Sequence, residues 1–392
     1  MRIETAQHLE QFRDDVRAFI IEHNPGPKHH TGVRAPADEL VPAIREWTAK
    51  LYAAGYLGAE WPVEHGGQAD VDPREAFIVA EELARARTWT PIGAAPLAAA
   101  ALIDFGTDAQ KAHFLPRIRS AEDIWCQLFS EPGAGSDLAS LKTRARLDGD
   151  HYVVDGQKVW TTNGHHSDVG YLLARTDQDG AKHKGITAFA LDMTSPGVDI
   201  RPLREITGTS DFNEVFLDQV RIPVDRVIGA VNDGWRVANS SLAHERTGVA
   251  AMTVELLQSL GDLRSLASRA GDDGRPLLDD GGVRQRIGRV AARTHVVDLM
   301  SKAVQSHMLA GTVDAADAPL VKISFSEANL AIAELGLSLQ GLDGVAVEGD
   351  DDVVADGWWQ DAFLYARAYT IAGGANEVLK TVVAERALGL PR

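Results

Sequence analysis

Apolar residues recur every three to four positions over 5–121 and again from 230 towards the end of the chain. The spacing is clearest near the N-terminus, at Leu9, Phe12, Val16 and Phe19. It places apolar side chains along one face of an α-helix, so both regions are predicted to be helical. Turn-forming segments at 55–58 and 61–67 interrupt the first region, and an alanine-rich helical stretch follows at 84–105.

The residues between 124 and 223 follow a different pattern, with short apolar or alternating runs separated by turns. Such runs are typical of β-strands, which we predict at 169–175, 186–192 and 212–222. An earlier hairpin is predicted around the dipeptide Asp155-Gly156, because Asp-Gly tolerates the positive φ angles of a tight turn.

This order of helices, strands and helices predicts an α+β fold with several domains, not an alternating parallel α/β sheet. The predicted boundaries give an N-terminal all-α domain (1–121), a central β domain (122–229) and a C-terminal helical domain (230–392). A chain of 392 residues is long enough for two or three domains. No G-x-G-x-x-G motif follows a predicted strand, so the Rossmann mode of binding a dinucleotide is not supported.

The composition is that of a soluble globular protein, with 45% hydrophobic and 24% charged residues. No apolar run approaches the ~20 residues that span a bilayer, and the polar N-terminus does not resemble an export signal. We therefore expect a cytoplasmic protein. The single cysteine, Cys126, excludes an intrachain disulfide and a thiolate-clustered metal site. The formal net charge of -17 disfavours nucleic acid and anionic membranes as partners.

Two segments together point to a bound flavin: 130–137 (SEPGAGSD) and 158–163 (KVWTTN). In the first, two glycines and a proline favour a tight turn that leaves backbone N–H groups and short hydroxyls free. In the second, Trp160 and the neighbouring threonines offer a flat apolar wall edged by hydrogen-bond donors. An isoalloxazine ring needs both features. Taken singly, the segments also fit an ordinary loop and a core tryptophan.

A candidate catalytic base, Glu245, falls on the apolar stripe of a helix predicted to begin near Asn239. The stripe comprises Leu242, Val249, Met252, Leu256, Leu260 and Leu263. Desolvation there would raise the pKa of Glu245 and suit its carboxylate to accept a proton near neutral pH. Alternatively, Glu245 pairs with a cation near the helix start, where the helix dipole also favours a carboxylate. The adjacent Arg246 leaves the helix about 100° away and is not its automatic partner.

Near the C-terminus, the glycine-rich segment 372–377 (AGGANE) precedes an apolar helix. Glycines before a helix expose N–H donors that can bind an anion such as a pyrophosphate, although a plain helix start also fits. The histidines form no H-x-x-x-H or H-E-x-x-H pattern with an acidic third ligand, so no metal site is predicted. The absence of a G-x-S-x-G motif gives serine-nucleophile hydrolysis little support.

These segments together resemble the acyl-CoA dehydrogenase family, and the resemblance extends over essentially the whole chain. Further similar segments are 61–67 (WPVEHGG) and 385–391 (ERALGLP). The resemblance implies an N-terminal helical domain, a central antiparallel β domain and a C-terminal four-helix bundle, with FAD held between them. It also implies that a carboxylate removes the α-proton of an acyl-CoA while the β-hydride passes to flavin N5, leaving a trans-2-enoyl-CoA. Electrons would then pass to an electron-transfer flavoprotein.

The resemblance assigns roles to individual residues. Ser130 would bond the pyrimidine side of the flavin, Trp160 would pack on the ring and Thr162 would donate near N5. The full set of expected cofactor contacts is Gln127, Phe129, Ser130, Ser136, Trp160, Thr161, Thr162, Ala375, Asn376 and Glu377. The expected substrate contacts are Ser136, beside the pantetheine, and Arg246.

Many family members have the base just before Gly-Thr in the terminal loop, where this chain has Gly373. A second subgroup resembles enzymes of branched, long or sterol-derived acyl-CoAs. It places the base in a Glu-Arg pair similar to Glu245-Arg246, which favours Glu245. Two departures count against a symmetric tetramer with four identical FAD sites. The R-x-Q-F-G segment appears as 269–274 (RAGDDG), and Ser338 replaces the glutamine of Q-x-x-G-G. The expected assembly is a homo- or hetero-oligomer.

Two other functions stay open at this point. One is a flavin oxidase or monooxygenase on the same fold, and the other is a non-catalytic subunit of a hetero-oligomeric dehydrogenase. The retained Glu245, Trp160 and Thr162 argue against the non-catalytic subunit.

Overall fold

The computed structural model describes residues 7–244, 248–269, 271 and 274–391. Its N-terminal part is helical, with α1 Gln7–His23, α2 Val41–Ala53, α3 Arg74–Arg85, α4 Ala95–Phe105 and α5 Asp108–Arg119. The predicted apolar face of α1 is confirmed: Leu9 and Val16 are buried, and Phe19 stacks on Trp47 of α2 with ring centroids 5.8 Å apart. The stretch 84–105 is not one helix, because a connection over 86–94 separates α3 from α4.

A sheet of eight strands forms the centre of the described chain. The strands are β1 Trp125–Leu128, β2 Arg144–Asp148, β3 His151–Thr162, β4 Val169–Arg175, β5 Ile186–Asp192, β6 Val198–Leu203, β7 Phe212–Pro223 and β8 Val227–Ile228. They are ordered β6-β7-β3-β2-β4-β5-β8, with β1 beside β4. Most pairings are antiparallel, whereas β1 and β2 each pair with β4 in parallel. The predicted strands coincide with β4, β5 and β7.

The hairpin predicted at Asp155-Gly156 is wrong, because β3 continues through both residues. The Asp155 carboxylate accepts hydrogen bonds from the backbone N–H (3.1 Å) and side-chain amide (2.6 Å) of Gln219 on β7. A Cβ at Gly156 would lie 2.3 Å from Oγ1 of Thr143, so this glycine permits close packing inside the sheet. The turn that enters β3 lies instead at Gly149, where φ is 63°.

The C-terminal part is again helical, with α6 Gly234–His244, α7 Gly248–Ala267, α8 Gly281–Ala310, α9 Asp317–Ser338, α10 Trp358–Ile371 and α11 Asn376–Val382. Helices α7 to α10 share one apolar core, to which they contribute Leu256, Val297, Phe325 and Trp359. The chain therefore has an α+β fold with a helical N-terminal part, a β middle part and a C-terminal four-helix bundle. The domain boundaries at 121 and 229 stay predictions. Among the helices of the described residues, none combines the length and apolar character needed to span a bilayer.

Candidate active site

Trp160 is displayed on the surface by an irregularity in β3. The pairing of β3 with β7 shifts register between Lys158 and Thr161, and Trp160 takes a left-handed φ of 60°. Its side chain is 60% exposed and touches the ring of Phe212 edge-on, with centroids 6.1 Å apart. Trp160 is thus not a core residue. A bulge that turns a large aromatic ring outward is a common device beside ligand sites.

The segment 130–137 forms a compact turn against this strand. Two backbone hydrogen bonds between Glu131 and Ala134, of 3.1 and 3.0 Å, close the turn. The backbone N–H of Val159 donates to the carbonyl of Ser130 at 3.0 Å, which fixes the turn beside Trp160. A Cβ at Gly133 or Gly135 would meet nothing within 4 Å, so the chain itself leaves open space over both glycines.

A buried ion pair holds the turn to β3. Lys158 is fully buried, and its Nζ donates to Oε1 of Glu131 at 2.9 Å and to the carbonyl of Phe129 at 3.0 Å. The Glu131 carboxylate also accepts the backbone N–H groups of Lys142 (2.6 Å) and Thr143 (2.8 Å). Both carboxylate oxygens of Glu131 are therefore hydrogen-bonded, as a buried charge requires.

The pKa values of the two partners fit an ion pair near neutral pH. Burial lowers the pKa of Lys158 to about 8, although Glu131 opposes the shift. Burial alone would raise the pKa of Glu131, but Lys158 and the N–H donors outweigh it and hold that pKa below its usual range. Sequence reasoning did not assign a role to this pair. The two residues lie 27 positions apart, so no local pattern pairs them.

The residues after Trp160 alternate between the two faces of the strand. Thr161 is fully buried, and its Oγ1 has no hydrogen-bond partner, so its side chain points away from the Trp160 face. Thr162 is half-buried, which leaves its hydroxyl accessible beside Trp160. Asn163 takes a left-handed φ of 51° and ends the strand. The cofactor roles of Thr161 and Thr162 stay predictions.

Three further predicted contacts differ in their exposure. Phe129 is buried and packs edge-on against Tyr171, with centroids 4.9 Å apart, so its ring belongs to the core. Gln127 is half-buried on β1. Ser136 is exposed on the turn, as a residue that meets a substrate must be. The roles of all three stay predictions.

The C-terminal glycine segment is anchored in the helical bundle. Gly373 and Gly374 have left-handed φ angles of 65° and 99°. The side chain of Asn376 is 4% exposed and exchanges hydrogen bonds of 3.0 to 3.1 Å with Ser326 and Lys322 of α9. Its amide is therefore engaged within the protein, and the predicted cofactor contact of Asn376 stays a prediction. Ala375 is half-buried and Glu377 is exposed.

The candidate base Glu245 and the candidate substrate residue Arg246 lie outside the described residues. The helix that follows them, α7, confirms the second half of the predicted stripe: Leu256 and Leu263 are fully buried. Leu242, on α6, is 40% exposed and therefore does not belong to a buried stripe. The role of Glu245 stays a prediction.

The side chains of Cys126 and of the adjacent histidines His165 and His166 make contacts within the protein. Burial raises the pKa of the Cys126 thiol to about 12, and its Sγ lies 3.8 Å from Sδ of Met193. Nδ1 of His165 bonds the side chain of Asn213, and Nε2 of His166 bonds a backbone carbonyl. In the part of the chain that the structure describes, no three His, Cys, Asp or Glu side chains are grouped to hold a metal ion.

The described geometry fits an isoalloxazine ring. The exposed face of Trp160 supplies an apolar wall, and the open turn at Gly133 and Gly135 leaves room beside it. The half-buried Ser130 and Thr162 supply polar groups at its edge.

Comparison with known proteins identifies the family to which this fold belongs. Family profiles described as acyl-CoA dehydrogenase N-terminal, middle and C-terminal domains match 6–122, 126–220 and 232–388. The acyl-CoA dehydrogenase IpdE1 of Mycobacterium tuberculosis is 38% identical and covers 98% of this chain and 99% of its own length. FadE34 of the same organism, also an acyl-CoA dehydrogenase, is 41% identical over 87% of this chain, which spans 46% of that relative.

Solved structures agree with the sequence relatives. The ChsE4-ChsE5 complex of Mycobacterium tuberculosis is 30% identical with a TM-score of 0.85 and covers 100% of both chains. The Tcur3481-Tcur3483 steroid ACAD is 28% identical, also with a TM-score of 0.85 and coverage of 100% of both chains. This chain belongs to the acyl-CoA dehydrogenase family and is an acyl-CoA dehydrogenase.

Proposed function

We propose that this enzyme binds FAD at the Trp160 wall and catalyses α,β-dehydrogenation of an acyl-CoA to a trans-2-enoyl-CoA. The observation that carries the proposal is the outward display of Trp160 beside a turn that a buried ion pair holds in place. The exposed ring and the open glycine turn beside it offer the apolar surface and the space that a flat ligand needs. Membership of the family supplies the chemistry that such a ligand would serve.

Each residue has a defined part in the proposed reaction. Glu245 accepts the α-proton of the thioester, and an apolar setting would raise its pKa towards neutrality for this purpose. FAD, when bound, supplies the acceptor for the β-hydride at its N5. Trp160 packs against the flavin ring, while Ser130 and Thr162 hydrogen-bond its edge. Ser136 and Arg246 bind the CoA ester, and the electrons leave to an electron-transfer flavoprotein.

The proposed substrate class is an acyl-CoA with a steroid-derived acyl group. The support is the similarity to a protein titled a steroid ACAD. The proposed assembly is a hetero-oligomer with a second chain of the same family, since the similar ChsE4-ChsE5 structure is a complex of two named chains.

The test is anaerobic mixing of the FAD-supplemented protein with straight, branched and steroid-side-chain acyl-CoAs while flavin absorbance is followed. We expect the steroid-side-chain esters to bleach the flavin fastest. Bleaching only by straight-chain esters would overturn the substrate class. Bound FAD that no ester bleaches would contradict the dehydrogenase reaction, and rapid oxygen uptake after bleaching would favour an oxidase over transfer to an electron-transfer flavoprotein.

A further inference from the structure

Arg34, in the connection between α1 and α2, joins the three parts of the molecule. It is only 5% exposed. One guanidinium nitrogen lies 3.0 Å from Oδ2 of Asp211, just before β7, and another lies 2.6 Å from Oδ2 of Asp361 on α10. The guanidinium also lies 4.3 Å from the ring centroid of Tyr365. One buried side chain therefore ties the N-terminal part, the sheet and the bundle together.

The contacts around Arg34 extend to the end of β3, close to Trp160, which is proposed to pack on the flavin. The backbone N–H of Asn163, the residue after Thr162, donates to the carbonyl of Asp211 at 3.0 Å. The Asn163 amide lies 3.5 Å from the carbonyl of Arg34, and the N–H of Ala35 donates to Oδ1 of Asp211 at 2.7 Å. The end of β3 is thus hydrogen-bonded to the residues that surround the guanidinium.

Asp211 is also linked to Trp160 through its neighbour Phe212. Asp211 directly precedes Phe212, whose ring contacts the edge of Trp160. The side-chain hydroxyl of Thr209 donates to Oδ2 of Asp211 at 2.8 Å, and the N–H of Phe212 donates to Glu205 at 2.9 Å. Movement of Asp211 would therefore displace both Asn163, three residues after Trp160, and Phe212, whose ring contacts Trp160.

Arginine suits this position because its planar guanidinium can serve two carboxylates at once. Without it, Asp211 and Asp361 would lose the cation that bridges them, and Asp361 would keep only His30, among the described residues, as an ion-pair partner within 4 Å. Breaking a buried ionic network by removing one partner is strongly unfavourable for this reason.

We propose that Arg34 is a positioning residue that couples FAD binding to the docking of both helical regions on the sheet. It contacts no cofactor atom and acts through Asp211, Asn163 and Phe212. The inference rests on the FAD site proposed above. Coupling of this kind is reciprocal: FAD stabilises the docked arrangement to the extent that docking strengthens FAD binding.

The experiment compares Arg34→Met with Arg87→Met in the full-length protein. Arg87 forms an ion pair with Asp262 of α7 and also links the N-terminal part to the bundle, but this pair does not involve the sheet. FAD affinity is measured by fluorescence titration. Thermal unfolding with and without FAD gives the stabilisation that FAD provides.

We expect Arg34→Met to weaken FAD binding by at least about tenfold and to reduce the FAD-dependent rise in Tm, since a buried network that positions the site is broken. Arg87→Met should lower the Tm of the apoprotein and leave FAD affinity within about twofold of wild type, because distant sites act independently. Equal FAD affinity in wild type and Arg34→Met would overturn the inference.

Two milder variants decide the question if Arg34→Met does not fold. Arg34→Lys keeps the charge but cannot bridge both carboxylates with a planar fork, and Asp361→Asn keeps the Asp211 pair. Each should weaken FAD binding several-fold, and wild-type affinity in both would overturn the inference. A wild-type protein that binds no FAD would instead refute the proposed cofactor site itself.

Discussion

Two glycine-rich segments of this enzyme have similar sequence signatures but are held in place differently. The segment 130–137 is fixed to β3 by the fully buried pair of Lys158 and Glu131. The segment 372–377 is fixed to α9 mainly by the amide of Asn376, which bonds Ser326 and the half-buried Lys322. Only the first lies against an exposed aromatic ring among the described residues.

The first segment is thus held by a buried ion pair beside Trp160, and the second, at the connection between α10 and α11, by a side-chain amide. Removing one partner of a buried ion pair leaves an unpaired charge in the interior and is strongly destabilising. Removing a side-chain amide costs only the hydrogen bonds that it makes. Substitution of Lys158 and substitution of Asn376 should therefore differ in how far they lower the stability of the protein and in whether they weaken FAD binding.

The largest effect is expected for Lys158→Met. It leaves the Glu131 carboxylate buried without its cation, which should lower the free energy of unfolding by about 3–5 kcal/mol and abolish FAD retention. Urea unfolding, followed by circular dichroism, measures the change. Adding Glu131→Gln to Lys158→Met should recover part of the stability, and a single variant as stable as wild type would show that the pair is not the anchor.

A smaller effect is expected for Asn376→Ala. It removes the hydrogen bonds of the Asn376 amide with Ser326 and Lys322, which keep their bonds to the carbonyls of Ile323 and Gly374, and should cost about 1–3 kcal/mol of stability. The matched control is Glu377→Ala, whose exposed side chain should change stability by no more than about 0.5 kcal/mol. Equal losses in both variants, measured in the same urea titrations, would mean that Asn376 is not the anchor of this segment.

Trp160→Ala should affect the ligand more than the fold. Because the side chain is 60% exposed, the Tm of the apoprotein should stay nearly unchanged. Loss of the ring contact should weaken FAD binding by about 0.5–1.5 kcal/mol, which is up to roughly tenfold in Kd. Fluorescence titration tests this, and wild-type affinity in the variant would remove Trp160 from the proposed site.

The smallest effect is a pH dependence at the junction of the α1–α2 connection and the bundle. Asp361 raises the pKa of His30, whose Nδ1 lies 3.6 Å away, while Glu348 adds to the shift and Arg34 opposes it. A raised folded-state pKa gives stability that is complete below the ordinary value of about 6.5 and is lost as pH rises through the folded pKa.

His30→Gln should therefore lower the Tm near pH 6 and have little effect near pH 9. Thermal unfolding of both proteins across this range measures the difference. A constant difference between the two curves would show that the charge of His30 has no part in the junction.

Sequence patterns were most reliable where local and tertiary preferences coincide. The predicted strands at 169–175 and 186–192 match β4 and β5 because both are short apolar runs buried in the sheet. The hairpin at Asp155-Gly156 failed because contacts with Gln219 and Thr143 outweighed the local turn preference.

The ion pairs that hold the candidate site together could not be predicted from the sequence, for a different reason. Lys158 and Glu131 are 27 positions apart, and Arg34 and Asp361 are 327 apart. No periodicity pairs such residues, because their proximity is a product of the whole fold. The bond between Asn376 and Ser326 joins residues 50 positions apart and could not be predicted for the same reason.

The most direct test of the account is anaerobic flavin reduction by a steroid-side-chain acyl-CoA in wild type and in Glu245→Gln. The variant keeps the size of the side chain and removes its basicity. We predict that wild type bleaches, while Glu245→Gln binds FAD with unchanged affinity and stays oxidised. Bleaching of the variant at the wild-type rate would contradict the account, because the α-proton would then be removed by another group.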